Sequence, residues 1–182
     1  MEELLEWKEN SAIKRHVSFY SSRKHFILQK ITFLILSMSE FNAKFPLNIR
    51  FKDFDSLGHV NNAVFITYLE EARVKYFEKV IRPNEEINWW NDGIILANLQ
   101  IDFRKPIDGF KDYFVSIACS RIGTKSFDFS YNITHQANDE VEIMAEAKSV
   151  MVCYDYERKI TVPVYEEWIV KVEKFEGRKL RA

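Results

Sequence analysis

Apolar and polar residues follow two different periods along the chain, and the longest segment of one period lies between residues 62 and 82. There apolar residues recur every three or four positions, which predicts one long amphipathic helix. Its predicted inner stripe is Phe65, Leu69, Ala72, Tyr76 and Val80, widened by Ile66 and Phe77. Its predicted outer face is Glu70, Glu71, Arg73, Lys75, Glu78 and Lys79, with Glu71 and Lys75 spaced for an ion pair. Asn61 or Asn62 is the expected N-cap, and Pro83 should end the helix near Arg82.

Elsewhere apolar residues alternate with polar ones, which is the period of a β-strand. Residues 45–51 predict a strand before the helix, and residues 94–103, 113–122, 127–133 and 141–154 predict strands after it. In the first of these later strands, Ile95, Ala97, Leu99, Ile101 and Phe103 should share one face. Turns are expected at 106–109, 123–125 and 138–139. Because a long helix must bury its stripe against a sheet, this order predicts an α+β fold.

The two ends of the chain differ from this middle part. Residues 1–40 form an N-terminal extension of uncertain structure, whose apolar run from Phe26 to Leu36 is too short and interrupted to span a bilayer. Either this extension is part of the protein or translation starts at Met38. Residues 41–163 form the predicted domain. Residues 164–182 form an amphipathic C-terminal tail, predicted to be helical, with Trp168, Val172 and Phe175 in line.

Composition narrows the class of protein. A chain of 182 residues with 47% hydrophobic residues suits one globular domain with extensions. With 26 basic and 27 acidic side chains, the net charge of −1 gives no indication of nucleic-acid binding. Cys119 and Cys153 lie in apolar strand-like runs and are expected to be buried, reduced thiols. We therefore expect a cytoplasmic protein without a membrane segment, and the four histidines lack metal-ligand spacing to the cysteines.

The candidate chemistry lies in the polar loop directly before the long helix. The loop contains Asp53, Asp55, Gly58, His59, Asn61 and Asn62. The start of a helix presents free N–H groups and the positive end of its dipole, which can hold a carbonyl oxygen while a carboxylate attacks it or activates water. An aspartate before a helix is more commonly a cap or a turn former than a catalyst, so both interpretations of Asp55 stay open. Asp53 is assigned to the structure of the loop.

The whole string DxDxxGHVNN, followed by a helix containing LEEAR, closely resembles the hot-dog-fold acyl-CoA thioesterases of the 4-hydroxybenzoyl-CoA thioesterase type. The resemblance extends from about Lys44 to Pro163. It implies an antiparallel sheet wrapped around one central helix, and hydrolysis of an acyl-CoA or aryl-CoA thioester. Asp55 occupies the position of the family's catalytic carboxylate. Asn62 falls where the family uses a backbone N–H to polarise the thioester carbonyl, although some relatives carry an aromatic residue or histidine there.

Neighbouring residues are candidates for supporting roles around these two residues. Gly58 permits close approach of the backbone, and His59 orients the loop or a water molecule. Asn61 and Glu71 are further candidates for substrate contacts, although Glu71 is equally consistent with a surface ion pair. Coenzyme A enters as part of the substrate, not as a cofactor, and its phosphates need cations. Such contacts could form at the basic residues of strand ends, Arg104, Lys105, Arg121 and Lys125, although solvated surface charge is the better explanation of any single one. Arg121 and Lys125 are the predicted substrate contacts among them. Trp89 and Trp90 could line an acyl pocket or simply pack.

Two other functions are compatible with the same fold. A non-catalytic acyl-CoA-binding protein would share the fold, but mere binding does not require Asp55. A hot-dog hydratase is less favoured, because its loop reads D-x-N-P-x-H whereas this one reads DSLGH.

Hot-dog subunits of this type pair through their sheets, so a homodimer or a homotetramer built from two dimers is expected. The run Val150-Met151-Val152 supports this, since a lone subunit would expose part of it.

Overall fold

The computed structural model of the protein describes residues 41–83, 90, 93–137 and 140–181. The expectations for residues 1–40, for Trp89 and for the turn at residues 138–139 lie outside these described residues. No helix of the described ranges is long and apolar enough to cross a membrane.

The described chain forms an antiparallel sheet with one long helix against it. The strands are β1 (Ala43–Pro46), β2 (Ile94–Phe103), β3 (Tyr113–Ile122), β4 (Ser126–Ala137), β5 (Glu140–Asp155) and β6 (Ile160–Thr161). Their order across the sheet is β1-β3-β4-β5-β2, and β6 pairs with the end of β5. The long helix is α1 (Asn62–Tyr76), and a second helix, α2 (Glu166–Glu176), follows the last strand. This arrangement confirms the predicted α+β, hot-dog fold.

The first strand is shorter than predicted and begins earlier. Alternation suggested a strand over residues 45–51, whereas β1 covers Ala43–Pro46 and pairs with β3. Leu47 N adds one more hydrogen bond, to Tyr113 O at 2.9 Å, before the chain turns into a short 3₁₀ helix at Phe51–Asp53. The alternating pattern therefore continues past the point where the partner strand ends, because Tyr113 is the first residue of β3.

The helix-facing side of the sheet holds the core, and a β-bulge decides which residues of β2 contribute to it. On β3 and β4 the predicted alternation is confirmed, with Val115, Ile117, Cys119, Phe127, Phe129, Tyr131 and Ile133 all buried. On β2 the register shifts between Leu96 and Asn98, so Leu96 and Leu99 pair with Met151 and Ser149, which lie on one face of β5. The expectation that Ile95 shares a face with Leu99 is wrong, because the bulge reverses the alternation at Ala97.

The long helix begins and ends at the predicted positions. Asn61 is the N-cap, and its Oδ1 accepts a 2.9 Å hydrogen bond from Ala63 N. The predicted inner residues Phe65, Leu69, Ala72, Tyr76, Phe77 and Val80 are all buried. The last turn, Phe77–Ile81, widens into a π-helix, in which Arg82 N donates to Phe77 O at 2.9 Å. Pro83 follows directly, so the chain leaves the helix at Arg82 as expected.

Two residues of this helix lie on the opposite side from the one predicted. Ile66 was placed on the inner stripe but is 43% exposed, whereas Arg73 was placed on the outer face but is only 5% exposed. The guanidinium of Arg73 lies on the sheet side, with Nη1 3.5 Å from the hydroxyl of Tyr131, which itself lies 2.7 Å from Ser149 Oγ. Because the sheet wraps around α1, a long polar side chain reaches a buried hydroxyl that helical periodicity does not reveal.

The tail after residue 163 contains the predicted helix, Glu166–Glu176, which packs on the core. Trp168, Ile169 and Val172 of α2 are buried, and the Trp168 ring lies edge-on to Phe77 at 5.7 Å. Lys171 Nζ donates a 2.7 Å hydrogen bond to Ile81 O, which caps the last turn after α1. The chain then runs beside β3, where Ile122 N donates to Leu180 O at 2.9 Å.

Candidate active site

The loop that carries Asp55 is held together by its own hydrogen bonds. Asp55 N donates to His59 O at 2.8 Å, and Gly58 N donates to Asp55 O at 3.1 Å. The carboxylate contributes as well, since Asp55 Oδ1 accepts from Leu57 N at 2.8 Å and from His59 N at 3.3 Å. Gly58 adopts φ = +78°, which is strained for other residues and explains the glycine in this turn. Within the described chain, Asp55 Oδ2 accepts no hydrogen bond.

The start of helix α1 lies beside this loop and leaves one donor available. Asn61 closes the first turn, because its side chain accepts from Ala63 N and its carbonyl accepts from Val64 N at 2.9 Å. Asn62 is the first helical residue and is exposed. Among the hydrogen bonds of the described residues, none uses the N–H of Asn62. That N–H lies at the positive end of the helix dipole, where an oxyanion is stabilised.

The loop and the helix start line a pocket of about 460 Å³. Its polar wall consists of Asp55, His59, Asn61 and Asn62, four of the residues singled out in the sequence. Its apolar wall was not predicted and consists of Leu57, Val60, Phe65, Phe103 and Pro106. Phe65 and Phe103 meet edge to face with ring centroids 5.1 Å apart, so the end of β2 and the first turn of α1 form one apolar surface. The position of Phe103 depends on the pairing of β2, which its local sequence does not specify.

Two cations stand at the rim of this pocket. Arg104 and Lys105 both line it, and their backbone N–H groups donate to Met144 O. Each side chain forms an ion pair across the strands at 2.8 Å, Arg104 with Glu146 and Lys105 with Glu142. These pairs leave about half of each basic side chain exposed, 53% in both cases. An anionic part of a ligand can therefore reach either cation beside the pocket.

The other predicted binding residues lie elsewhere. Arg121 pairs with Asp128 at 2.6 Å, and Lys125 Nζ donates to Thr161 O at 3.1 Å, at the β3–β4 hairpin. Neither residue is among the described residues that line the pocket of Asp55. Glu71 is half-buried on α1 and also lies outside the pocket lining. The Glu71–Lys75 ion pair is absent, although both residues are described, and Lys75 Nζ instead lies 5.9 Å from the Phe45 ring centroid.

Trp90 gives no support to the idea of a tryptophan-lined pocket. Its side chain is 71% exposed and lies edge-on to Tyr156, with ring centroids 6.1 Å apart. It is not among the lining residues of the Asp55 pocket. The described residues also contain no group of three or more histidine, cysteine or acidic side chains arranged to hold a metal ion.

Asp53, two residues before Asp55, is buried under the loop. Its Oδ2 accepts from Arg50 N at 2.9 Å and from the Tyr68 hydroxyl at 2.8 Å, and Arg50 Nε lies 3.2 Å from both carboxylate oxygens. Burial alone would raise the pKa of Asp53, but the hydrogen bonds from Arg50 and Tyr68 outweigh it and lower that pKa. Burial and this carboxylate raise the pKa of Tyr68, which therefore remains a hydrogen-bond donor.

Comparison with known proteins places this chain in a family. A model of the thioesterase-like superfamily matches residues 49–172. The chain is 27% identical to the uncharacterised protein YsmA of Bacillus subtilis, over 52% of this chain and 60% of that one. It is 26% identical to the acyl-acyl carrier protein thioesterase ATL3 of Arabidopsis thaliana, over 69% and 65%. It is 25% identical to the long-chain acyl-CoA thioesterase FadM of Escherichia coli, over 70% and 94%. The chain thus spans less than two thirds of the first two relatives.

Solved structures agree with this placement. A thioesterase from Thermus thermophilus, crystallised with coenzyme A and Zn, superposes with a TM-score of 0.66. That match has 29% sequence identity and covers 78% of this chain and 98% of the other. The fold is therefore shared over nearly the whole of that smaller protein.

Proposed function

The chain belongs to the thioesterase-like superfamily, and we propose that it hydrolyses acyl-CoA or aryl-CoA thioesters to the free acid and coenzyme A. One observation carries the proposal: Asp55 and the first residues of helix α1 line the same pocket. A carboxylate and an unused N–H donor then face one substrate carbonyl. The relatives named as thioesterases support the reaction class.

In this mechanism the thioester carbonyl oxygen accepts a hydrogen bond from the N–H of Asn62. That donor and the helix dipole stabilise the negative charge that develops on the oxygen. Asp55 Oδ2, the oxygen that the loop amides leave unused, then either attacks the carbonyl carbon or takes a proton from an attacking water molecule. In the first route the attack forms a mixed anhydride and expels the coenzyme A thiolate, and water then hydrolyses the anhydride to the free acid and the Asp55 carboxylate. In the second route water attacks the carbonyl carbon while Asp55 takes its proton, and the C–S bond breaks. In either route the leaving sulfur takes up a proton, and water supplies the new oxygen. His59 orients the loop or that water.

The two parts of the substrate fit two parts of the pocket. The acyl or aryl group faces the apolar wall around Phe65 and Phe103, where removal from water favours binding. The phosphates of coenzyme A face Arg104 and Lys105, whose side chains are half exposed at the rim. Within one subunit these two cations are better placed for the phosphates than Arg121 and Lys125. The coenzyme is part of the substrate, and the reaction as proposed uses no cofactor.

We also propose that the protein assembles as a homodimer, or as a homotetramer of two dimers, through strand β2. This strand ends the order of the described sheet, so its outer edge has no partner there. An open edge of ten residues is a strong template for pairing with another strand. Leu96 and Phe103 on β2 are 42% and 45% exposed. Because Phe103 also lines the pocket, a second copy paired along this edge would complete the active site.

The opposite side of the sheet supports the choice of β2 as the interface. There, β1 covers the first half of β3, and the segment after helix α2 bridges to its end, where Ile122 pairs with Arg181. The protein thus covers that side of β3 with its own chain.

Both cysteines are unpaired and buried, which suits a reducing compartment, and we place the protein in the cytoplasm on that ground.

The alternative is an acyl-CoA-binding protein without turnover, and one observation favours it. Asp55 Oδ1 holds the loop by accepting from Leu57 N and His59 N, which is a sufficient structural reason for an aspartate at this position. A hydratase is the less favoured second alternative, and its support is that Asp55 and His59 line the same pocket.

The deciding experiment measures coenzyme A release from a panel of thioesters with the wild type and Asp55→Asn. Asparagine keeps an Oδ1 for the two loop amides but offers no ionised oxygen. We expect kcat to fall at least about a hundredfold, the typical minimum contribution of a positioned base. The melting temperature and the affinity for a non-hydrolysable acyl-CoA analogue should stay the same.

Asp155→Asn is the matched control. Asp155 caps another loop in the same way, since its Oδ1 accepts from Glu157 N at 3.0 Å and from Arg158 N at 2.8 Å. Its replacement should leave turnover unchanged. If Asp55→Asn keeps near-normal turnover, or loses turnover only in step with stability, the assignment is wrong. Wild-type binding without hydrolysis of any thioester would instead identify the binding protein.

A further inference from the structure

The buried carboxylate of Asp53 joins three separate parts of the chain. Through Arg50 it contacts the segment after β1, by the backbone N–H at 2.9 Å and by Nε at 3.2 Å. Through Tyr68 it contacts the middle of helix α1 at 2.8 Å. The backbone carbonyl of Asp53 accepts a 2.9 Å hydrogen bond from the N–H of the N-cap, Asn61. Asp53 is 2% exposed, and its hydrogen bond with Tyr68 is buried and therefore shielded from water.

These contacts surround the Asp55 loop on both sides. The loop leaves from Asp53 and returns at Asn61, and the Asn61 N–H to Asp53 carbonyl bond closes it. The Asp53 side chain fixes this closed loop to Tyr68, and Tyr68 lies on the same helix whose first N–H belongs to Asn62. Asp53 therefore links the loop that carries Asp55 to the helix that carries the Asn62 N–H.

We propose that Asp53 and Tyr68 form a positioning clamp for catalysis, in which neither residue touches the substrate. The proposal rests on the thioesterase function proposed above. A reacting carboxylate must stay close to its productive position, and a displacement of about 1 Å can cost on the order of a hundredfold in rate. The Tyr68 hydroxyl restrains Asp53, and Asp53 restrains the loop that carries Asp55. Loosening the clamp should therefore slow the chemical step without weakening substrate binding.

Helix α1 supplies a matched control for this idea. Tyr76 is further along the same helix, is also fully buried, and also donates to a buried carboxylate, Glu176, at 2.6 Å. Glu176 belongs to helix α2 and neither residue lines the pocket. Removing the Tyr76 hydroxyl thus removes an equivalent buried hydrogen bond without touching the loop. A role in stability alone predicts the same result for the two tyrosines, whereas the clamp predicts different results.

The test compares Tyr68→Phe with Tyr76→Phe in the full chain. For Tyr68→Phe we expect kcat to fall about tenfold with KM unchanged, because a loosened loop retains part of its alignment. Tyr76→Phe should keep the wild-type kcat, even where its melting temperature falls by as much. Amide hydrogen exchange supplies a readout that does not depend on activity. The N–H groups of Leu57 and His59, which bond Asp55 Oδ1, should exchange faster in Tyr68→Phe and at the wild-type rate in Tyr76→Phe.

Two results would overturn the clamp. One is an unchanged rate of amide hydrogen exchange at Leu57 and His59 in Tyr68→Phe. This result would exclude the clamp whether or not the protein hydrolyses thioesters. The other is a normal kcat in Tyr68→Phe when Asp55→Asn has abolished turnover, which leaves the proposed function intact. If Tyr68→Phe does not fold, Arg50→Gln tests the other side of Asp53 from a half-exposed position. It removes the Nε contacts and keeps the backbone bond, and it should also lower kcat and speed exchange at Leu57 and His59.

Discussion

The carboxylate of Glu176 accepts a 2.6 Å hydrogen bond from the hydroxyl of Tyr76, a residue 100 positions earlier in the chain. The same oxygen accepts from Cys119 N at 2.8 Å, beside the register shift in β3. Glu176 is 7% exposed and the Tyr76 hydroxyl group is buried. One side chain from the last turn of helix α2 therefore joins the central helix to the sheet.

This relationship predicts how the C-terminal helix stabilises the fold. Glu176→Ala leaves the Tyr76 hydroxyl and the Cys119 N–H buried without an acceptor, which should lower the free energy of unfolding by about 3 kcal/mol. Glu176→Gln keeps an acceptor oxygen and should cost clearly less. Denaturant unfolding of the two variants measures the difference. Equal losses in both would mean that packing of the side chain, and not its acceptor, is what matters.

Acid should weaken the fold through carboxylates whose pKa is low in the folded state. The hydrogen bond from Lys179, followed by that from Leu180 N, lowers the pKa of Glu173 to about 2, and hydrogen bonds also lower the pKa of Asp53. Their stabilisation is complete above the ordinary carboxyl pKa of about 4 and is lost as the pH falls through the lowered values. The free energy of unfolding should therefore decrease below about pH 4. In Asp53→Asn the free energy of unfolding should decrease less over the same pH interval. An equal decrease in the variant and the wild type would contradict the lowered pKa assigned to Asp53.

The cysteines should not react in the native protein. Cys119 and Cys153 are fully buried, and burial raises the pKa of both, that of Cys153 to about 12. An aromatic disulfide reagent should detect no fast-reacting thiol in the native state and two in denaturant. This outcome also makes the reagent a clean reporter of released coenzyme A. One fast native thiol would show that the packing around β3 or β5 opens readily.

The phosphate contacts can be tested with two pairs of cations. Replacing both Arg104 and Lys105 by glutamine should raise KM for an acyl-CoA about tenfold, with kcat little changed, because charge-assisted hydrogen bonds to phosphate are lost. The same double change at Arg121 and Lys125, outside the pocket lining, should leave KM unchanged. Michaelis–Menten kinetics at low salt measure both, since salt screens such contacts. If KM instead rises only in the Arg121 and Lys125 double variant, those two residues are the phosphate contacts, as the sequence predicted.

The open edge of β2 predicts the oligomeric state. Light scattering of the wild type should give a dimer or a tetramer. Leu96→Lys places a charge beside that edge and should shift the protein toward monomer and reduce turnover. Val170→Lys is the control, because Val170 on helix α2 is 64% exposed and far from β2 in the chain. An active wild-type monomer at assay concentration would exclude this interface.

Much of the architecture could be predicted from the sequence because it depends on short-range chemistry. The N-cap at Asn61, the helix end before Pro83 and the hairpin at residues 123–125 each follow from residues within one turn. The alternation on β3 and β4 has a period of two and identified their buried faces directly. The loop motif around Asp55 indicated the fold family, and it contains the four residues that form the polar wall of the pocket in the structure.

Only the tertiary structure decided which distant residues meet. The bulge at Ala97 reverses the faces of β2, and no local pattern distinguishes a bulged strand from a regular one. Helical periodicity predicted Arg73 on the surface, whereas in the curled sheet its guanidinium lies 3.5 Å from the Tyr131 hydroxyl. The rim cations Arg104 and Lys105 could not be separated from Arg121 and Lys125 by charge and strand ends alone, because strand pairing determines which end of the sheet lies beside helix α1. Local sequence determines the elements, whereas pairing and packing between distant segments determine the site.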